Sequence, residues 1–307
     1  MKKAAIVTAV LVFAAAFAIV SGSSAAGEYV VGYSNLSDAD VNCRITKDFF
    51  MEYSKNYPDM RVIATDAQLQ IEKQVADIES LIAQKVDVII ALPLDFAALE
   101  PPVVQANAAG IPFIAFRAKI AGGEYVYCGS NDIEAGILQG EWCAANLPKD
   151  AQILYMSGTL GMNHTTLRMN GFKGVLREKR PDIKILAELD GNYDRATGMR
   201  IMEDWIQTFP AFDAVVCAND QMALGAVEAM KGSRRLDGIA VLGVDAVKDA
   251  LEAIKAGDMS MSAYQNANAQ AKAVAEMAHR ICTGQKVEDQ FIPFELVTRD
   301  NVDAYLK

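Results

Sequence analysis

The side chains in this chain that could do chemistry fall just after short β-branched runs. Ser34, Asn35 and Asp38 follow the first run, and Asp66, Asp95 and Arg117 follow the next three. Further on come His164 and Arg168, Tyr193 and Asp194, Asn219 and Asp220, Asp245, and then Gln265 and Asn266. Planar amides, carboxylates and guanidinium groups dominate this set. Such groups pair bidentately with vicinal hydroxyls, while an aromatic ring such as that of Tyr193 covers an apolar sugar face. The set therefore suits a polyhydroxylated small molecule. Several members have a plainer role open to them. Asp66 and Asp95 serve equally well as helix caps, and Asp194 and Asp220 directly precede helical stretches and read as caps. His164 sits in a polar stretch where solvation is enough, and Arg168 could ion-pair locally.

Signatures of catalysis are missing from the sequence. It has no GxSxG elbow, no P-loop and no GxGxxG after a strand, and paired carboxylates carry little signal in a chain this acidic. With two histidines and no CxxC, neither a metal site nor a cofactor is expected. Five scattered cysteines leave at least one thiol free, and their mostly apolar flanks read as buried thiols. A net charge of −10 argues against nucleic acid or an anionic membrane surface as partner.

The N-terminus sets the compartment. Lys2 and Lys3 precede an apolar run from Ala4 to Val20, and the small residues Ser24-Ala25-Ala26 follow. That order is a secretory leader, expected at residues 1–26 with cleavage near Ala26, and it implies an exported, periplasmic product.

These groups need a scaffold of strands that deliver them to one edge. Short apolar runs at 29–33, 62–64, 86–92 and 111–116 alternate with helical periodicity at 41–56, 71–84 and 99–109. A second series then begins. Its strands are expected at 152–156, 183–188, 214–217, 240–244 and near 261–263; its helices at 132–146, 167–179, 196–208, 221–231 and 248–256. A last helix, 268–283, precedes a final strand near Phe291. Alternation of this kind is α/β with parallel sheets, and two series are too many for one ordinary sheet. Two Rossmann-like lobes are expected, with functional groups at the carboxyl ends of the strands.

Several stretches then show a family resemblance. Ala218-Asn219-Asp220-Gln221-Met222-Ala223-Leu224-Gly225 resembles the AxND-x-MALGA segment of ribose- and galactose-type periplasmic binding proteins. Arg168-Met169-Asn170-Gly171-Phe172 is similar to their R-x-x-GF, and Val241 to Asp245 to their VxGxD. Ala109-Gly110-Ile111-Pro112 and Gly129 to Gly136 match two further motifs in order. The resemblance implies a type I solute-binding protein, its two lobes joined by a three-strand hinge and closing on a sugar or polyol. The expected lobes are 27–129 with 266–292, and 130–265 with 293–307. It further implies a monomer that delivers ligand to the permease of an ABC importer, and ligand contacts at Arg168, Tyr193, Asn219, Asp245 and Gln265. Presentation of ligand to a chemoreceptor or sensor kinase is compatible with the same pattern. The first lobe departs from the family: Ser37-Asp38-Ala39-Asp40-Val41 stands where stacking aromatics are usual, and Arg117-Ala118 where a carboxylate or amide is usual. Arg117 then either binds an acidic ligand or ion-pairs with Asp38 or Asp40 beside a neutral sugar.

Overall fold

A computed structural model describes residues 28–306 of the chain. The leader and its cleavage point lie outside the described residues. From the N-terminus the elements are β1 (Tyr29–Asn35), α1 (Val41–Ser54), β2 (Met60–Asp66), α2 (Ile71–Ala83), β3 (Val88–Ala91), α3 (Glu100–Ala108), β4 (Phe113–Phe116) and β5 (Val126–Gly129). Then come α4 (Asp132–Asn146), β6 (Gln152–Ser157), α5 (Asn163–Lys179), β7 (Lys184–Asp190), α6 (Arg195–Thr208), β8 (Ala214–Cys217) and α7 (Asp220–Gly232). The chain ends with β9 (Ala240–Asp245), α8 (Lys248–Ala256), β10 (Met261–Tyr264), α9 (Ala267–Cys282), β11 (Gln290–Phe291) and β12 (Glu295–Thr298).

The strands form two six-stranded sheets, ordered β11-β5-β4-β3-β1-β2 and β12-β10-β9-β8-β6-β7. All pairings are parallel except β10 with β12. The chain passes between the sheets three times: from β5 to α4, from β10 to α9, and from β11 to β12. Two of the short strands, β5 and β12, are additional to the sequence expectation. β1 runs two residues beyond the expected Tyr33, pairing Ser34 with Thr65 and Asn35 with Asp66.

Each sheet is covered on both faces. In β3 all four residues are buried: Val88 and Ile90 pack toward α1 and α9, Ile89 and Ala91 toward α2 and α3. Two-sided burial explains the continuous apolar run and anchors the strand whose end must be placed accurately. Truncating Ile90 to Ala removes about 2–5 kcal/mol by the transfer and cavity terms together.

Close helix contacts fix the second lobe. A Cβ on Gly136 of α4 would lie 1.9 Å from the Arg168 carbonyl oxygen, and one on Gly171 of α5 would lie 2.2 Å from that of Ile133. α6 and α7 meet in the same way, where a Cβ on Gly225 would lie 2.2 Å from the Arg195 oxygen. Side chains at these positions would force the helices apart, so the glycines set the spacing.

Candidate functional site

The carboxyl ends of both sheets face a cavity of about 280 Å³ between the lobes. Its second-lobe wall is polar. Arg168, in the second turn of α5, donates from Nε and Nη2 to Asp132 Oδ1, both at 2.9 Å, and from Nη1 to the Ala218 carbonyl at 2.7 Å. Asp132 opens α4, where the helix N-terminus favours a carboxylate. Burial pushes its pKa up and Arg168 pulls it back part of the way. Arg168 therefore both ion-pairs and lines the cavity. Helix α5 begins at Asn163, four residues earlier than expected, so His164 lies in its first turn rather than in a loop. Burial, with the nearby charges of Arg168 and Arg117, drives its pKa well below the ordinary value and leaves the ring neutral at neutral pH.

Tyr193 follows β7 with φ of 58°. Its hydroxyl lies 2.7 Å from Thr165 Oγ1, and its ring centroid 5.1 Å from that of His164. A Cβ on Gly158 would fall 1.9 Å from the ring, so the bare backbone there admits it. Asn219 is the N-cap of α7: Oδ1 accepts from Met222 N at 3.0 Å and Nδ2 donates to the Tyr193 carbonyl at 3.2 Å. One amide hydrogen is thus left for the cavity.

Asp220, expected as the cap, is instead the first helical residue and is fully buried. It accepts from Ser262 Oγ at 2.7 Å and Val247 N at 2.9 Å. A Cβ on Gly243 would stand 2.1 Å from Asp220 Oδ1, which gives the glycine of VxGxD its physical meaning. Asp245 ends β9 at φ 112° and lines the cavity, its carboxylate accepting no hydrogen bond from the described residues. Burial raises its pKa to about 7, against the pull of Arg168 and Arg117.

The first-lobe wall differs. Leu36, Ala39, Val41, Leu69, Leu92 and Pro93 make it largely aliphatic, with Asp40, Asn42 and Arg117 as its main polar groups. Asp40 is the N-cap of α1, accepting from Cys43 N at 2.7 Å. Arg117 leaves β4 at φ 64°, donating from Nη1 to Thr46 Oγ1 at 3.3 Å and from Nη2 to Gln265 Oε1. Its Nε is buried without a partner. Neither expected ion pair forms, because Asp38 is held by Lys47 and by Asn35 Nδ2, and Asp40 by its own helix. Gln265, just past β10, also lines the cavity.

Arg117, His164, Arg168, Tyr193, Asn219, Asp245, Gln265 and Asp40 are thus brought together. Ser34, Asn35 and Asp38 are not, and placing them in the site is corrected here. The two extra residues of β1 carry Ser34 and Asn35 inside the sheet, where both are fully buried, and Ser34 Oγ accepts from Gln74 Nε2 at 3.4 Å. Asp66 and Asp95 neither cap a helix nor reach the cavity. Asp66 accepts from the amides of Asp38 and Gln68, and Asp95 from those of Ala97 and Ala98, bracing loops. Asp194 caps α6 through Thr197 N as expected. Sequence reasoning missed Asp132, Asn42 and Gln221 in the wall; of these, Asp132 stood in the Gly129 to Gly136 motif. Among the described residues no cluster of side chains suits a metal ion, and no helix is long and apolar enough to cross a membrane.

Two α/β lobes with a cleft between them, polar on one wall, fit a binding protein. Residues 31–286 match the family model described as periplasmic binding protein domain, and the chain belongs to that family. It is similar to the ribose import binding protein of Bacillus subtilis (33% identity, 78% of each chain). It is also similar to the xylitol-binding protein of Mycolicibacterium smegmatis, at 32% identity over 81% of this chain and 72% of that one. An ABC transporter solute-binding protein of Bacillus halodurans, solved with bound myo-inositol, superposes with a TM-score of 0.88. It is 34% identical, over 92% of this chain and 99% of that one.

Proposed function

We propose that this protein captures a sugar or polyol between its lobes and delivers it to the permease of an ABC importer. The carrying observation is Asp245. Its carboxylate accepts nothing from the protein, lies in a cavity of about 280 Å³, and shares that wall with Arg168, Asn219 and the Tyr193 ring. A buried acceptor of this kind is costly unless a ligand donates to it, and vicinal hydroxyls donate in pairs. The ribose-, xylitol- and inositol-related neighbours support the ligand class.

In this reading Asp245, Asn219, Arg168 and Gln265 grip hydroxyls, Tyr193 covers a ring face, and Asp40 and Arg117 complete the contacts from the first lobe. Each lobe holds part of the ligand, so binding shifts the population toward closure, and the closed form is what the permease reads. The protein works as an exported monomer, its leader removed near Ala26, with no cofactor and no turnover of its ligand.

A thermal-shift screen of mature protein, unfolded and refolded to strip carried-over ligand, tests this. Pentoses, hexoses, alditols, inositols and sugar acids form the panel. A ligand at 100 times its Kd adds about 2.7 kcal/mol, a shift of several degrees. Absence of any shift across the whole panel, sugar acids included, would overturn the ligand class.

A further inference from the structure

Beside the ligand cavity, on the flank of the hinge, lies a second cavity of about 220 Å³. Arg117, Ala118, Asp132 and His164 belong to both walls. The remaining wall includes Lys119, Tyr127, Asn131 and Asn163, with Phe291 of β11 at its mouth.

The charge of this second space is not balanced. Asp132 is its one carboxylate, and Arg168 occupies that group. His164 is held neutral by burial beside two guanidinium groups. Arg117 and Lys119 have no carboxylate at ion-pair distance among the described residues. The two cations are held differently, Lys119 at an exposed position and Arg117 at a half-buried one. The Lys119 ammonium lies 5.5 Å from the Tyr127 centroid and 5.7 Å from that of Phe291, within cation–π range. Arg117 is tied by Thr46 and Gln265, while its Nε is buried without an acceptor. The two cations, one exposed and one tied by hydrogen bonds, line a space that adjoins the larger cavity. Arginine and lysine placed together in this way recognise anionic oxygens.

We infer that the ligand is a sugar or polyol bearing an acidic substituent. Its hydroxylated body occupies the cavity at Asp245, and its anionic oxygens enter the hinge-side cavity against Arg117 and Lys119. This rests on the sugar or polyol reading above and narrows it. A carboxylate and a phosphate ester share the necessary chemistry.

Isothermal titration of the refolded mature protein with matched pairs separates these cases: glucose against glucuronate, ribose against ribose 5-phosphate, and myo-inositol against inositol 1-phosphate. In at least one pair the acid is expected to bind about tenfold tighter than its parent. That preference should shrink as salt is raised, and whether the carboxylate or phosphate pairs carry it identifies the acid. Lys119→Met should remove most of the preference, and Lys119→Arg should keep it. Parents that bind as well as every acid, or a preference that survives Lys119→Met, would overturn the acidic-substituent inference while leaving the sugar or polyol reading intact. If neither parents nor acids bind, both fall together.

Discussion

The two walls of the ligand cavity are built by different means. On the second-lobe side three polar groups are held by protein before any ligand arrives, leaving the Asp245 carboxylate free: Arg168 by Asp132 and the Ala218 carbonyl, Asn219 by Met222 N and the Tyr193 carbonyl, Tyr193 by Thr165. On the first-lobe side the wall is mostly aliphatic, from Leu36, Val41, Leu69 and Leu92, with no aromatic ring among the described residues. One wall fixes direction through pre-oriented hydrogen bonds; the other supplies shape and excludes water. In the proposed reading, most of the hydroxyl-gripping groups come from the second lobe and most of the cavity's shape from the first.

Breaking the second wall should have the largest effect. Arg168→Met leaves Asp132 buried without its cation and the Ala218 carbonyl unpaired. Loss of one partner of a buried pair costs about 3–5 kcal/mol of stability, measurable by urea denaturation, and ligand binding should disappear with it. Next come Asp245→Ala and Asn219→Ala. Each should weaken binding by roughly 1–3 kcal/mol in calorimetry, and wild-type affinity in both would remove these residues from the site.

The ionisation of Asp245 sharpens the comparison further. Its pKa is raised from 3.8 to about 7 in the folded protein. Between these values the native state holds a proton that the unfolded chain has released. The contribution of this group to stability therefore falls as pH rises through that window and levels off above it. Ligand hydroxyls that donate to the carboxylate favour its charged form. Affinity should accordingly rise as pH passes through about 7, with proton release on binding that Asp245→Asn abolishes. The smallest effects belong to the first wall. Val41→Ala should cost ligand about 1 kcal/mol or less, the scale of two methyl groups only partly covered, and should widen the range of polyols accepted.

The alternating architecture was legible because period-two and period-3.6 patterns are strong over whole segments. The short strands β5 and β12 were not: Glu295-Leu296-Val297-Thr298 is polar at both ends, and Val126–Gly129 closes on a glycine. Most second-lobe residues that line the cavity were legible as strand-end or motif positions. Ser34, Asn35 and Asp38 failed for a local reason: where β1 stops depends on its pairing with β2, which the strand's own residues do not encode. Asp220 failed because capping depends on which of two adjacent residues leaves the helix, and Asn219 took that place. The pairing of Arg117 with Gln265 joins positions 148 residues apart, a distance that local patterns cannot bridge.

The glycines between α4 and α5 bear on how a new binding specificity could be engineered. Gly136 and Gly171 press the two helices together directly beside Arg168 and Asp132. Randomising that neighbourhood would yield mostly variants that fail to assemble, whatever they might have bound. Leu36, Ala39, Val41 and Leu92 carry no such constraint on helix spacing and line the same cavity. A library confined to those four positions would keep the hydroxyl-gripping half intact while reshaping the cavity, which makes the aliphatic wall the productive place to build a sensor for a different small molecule.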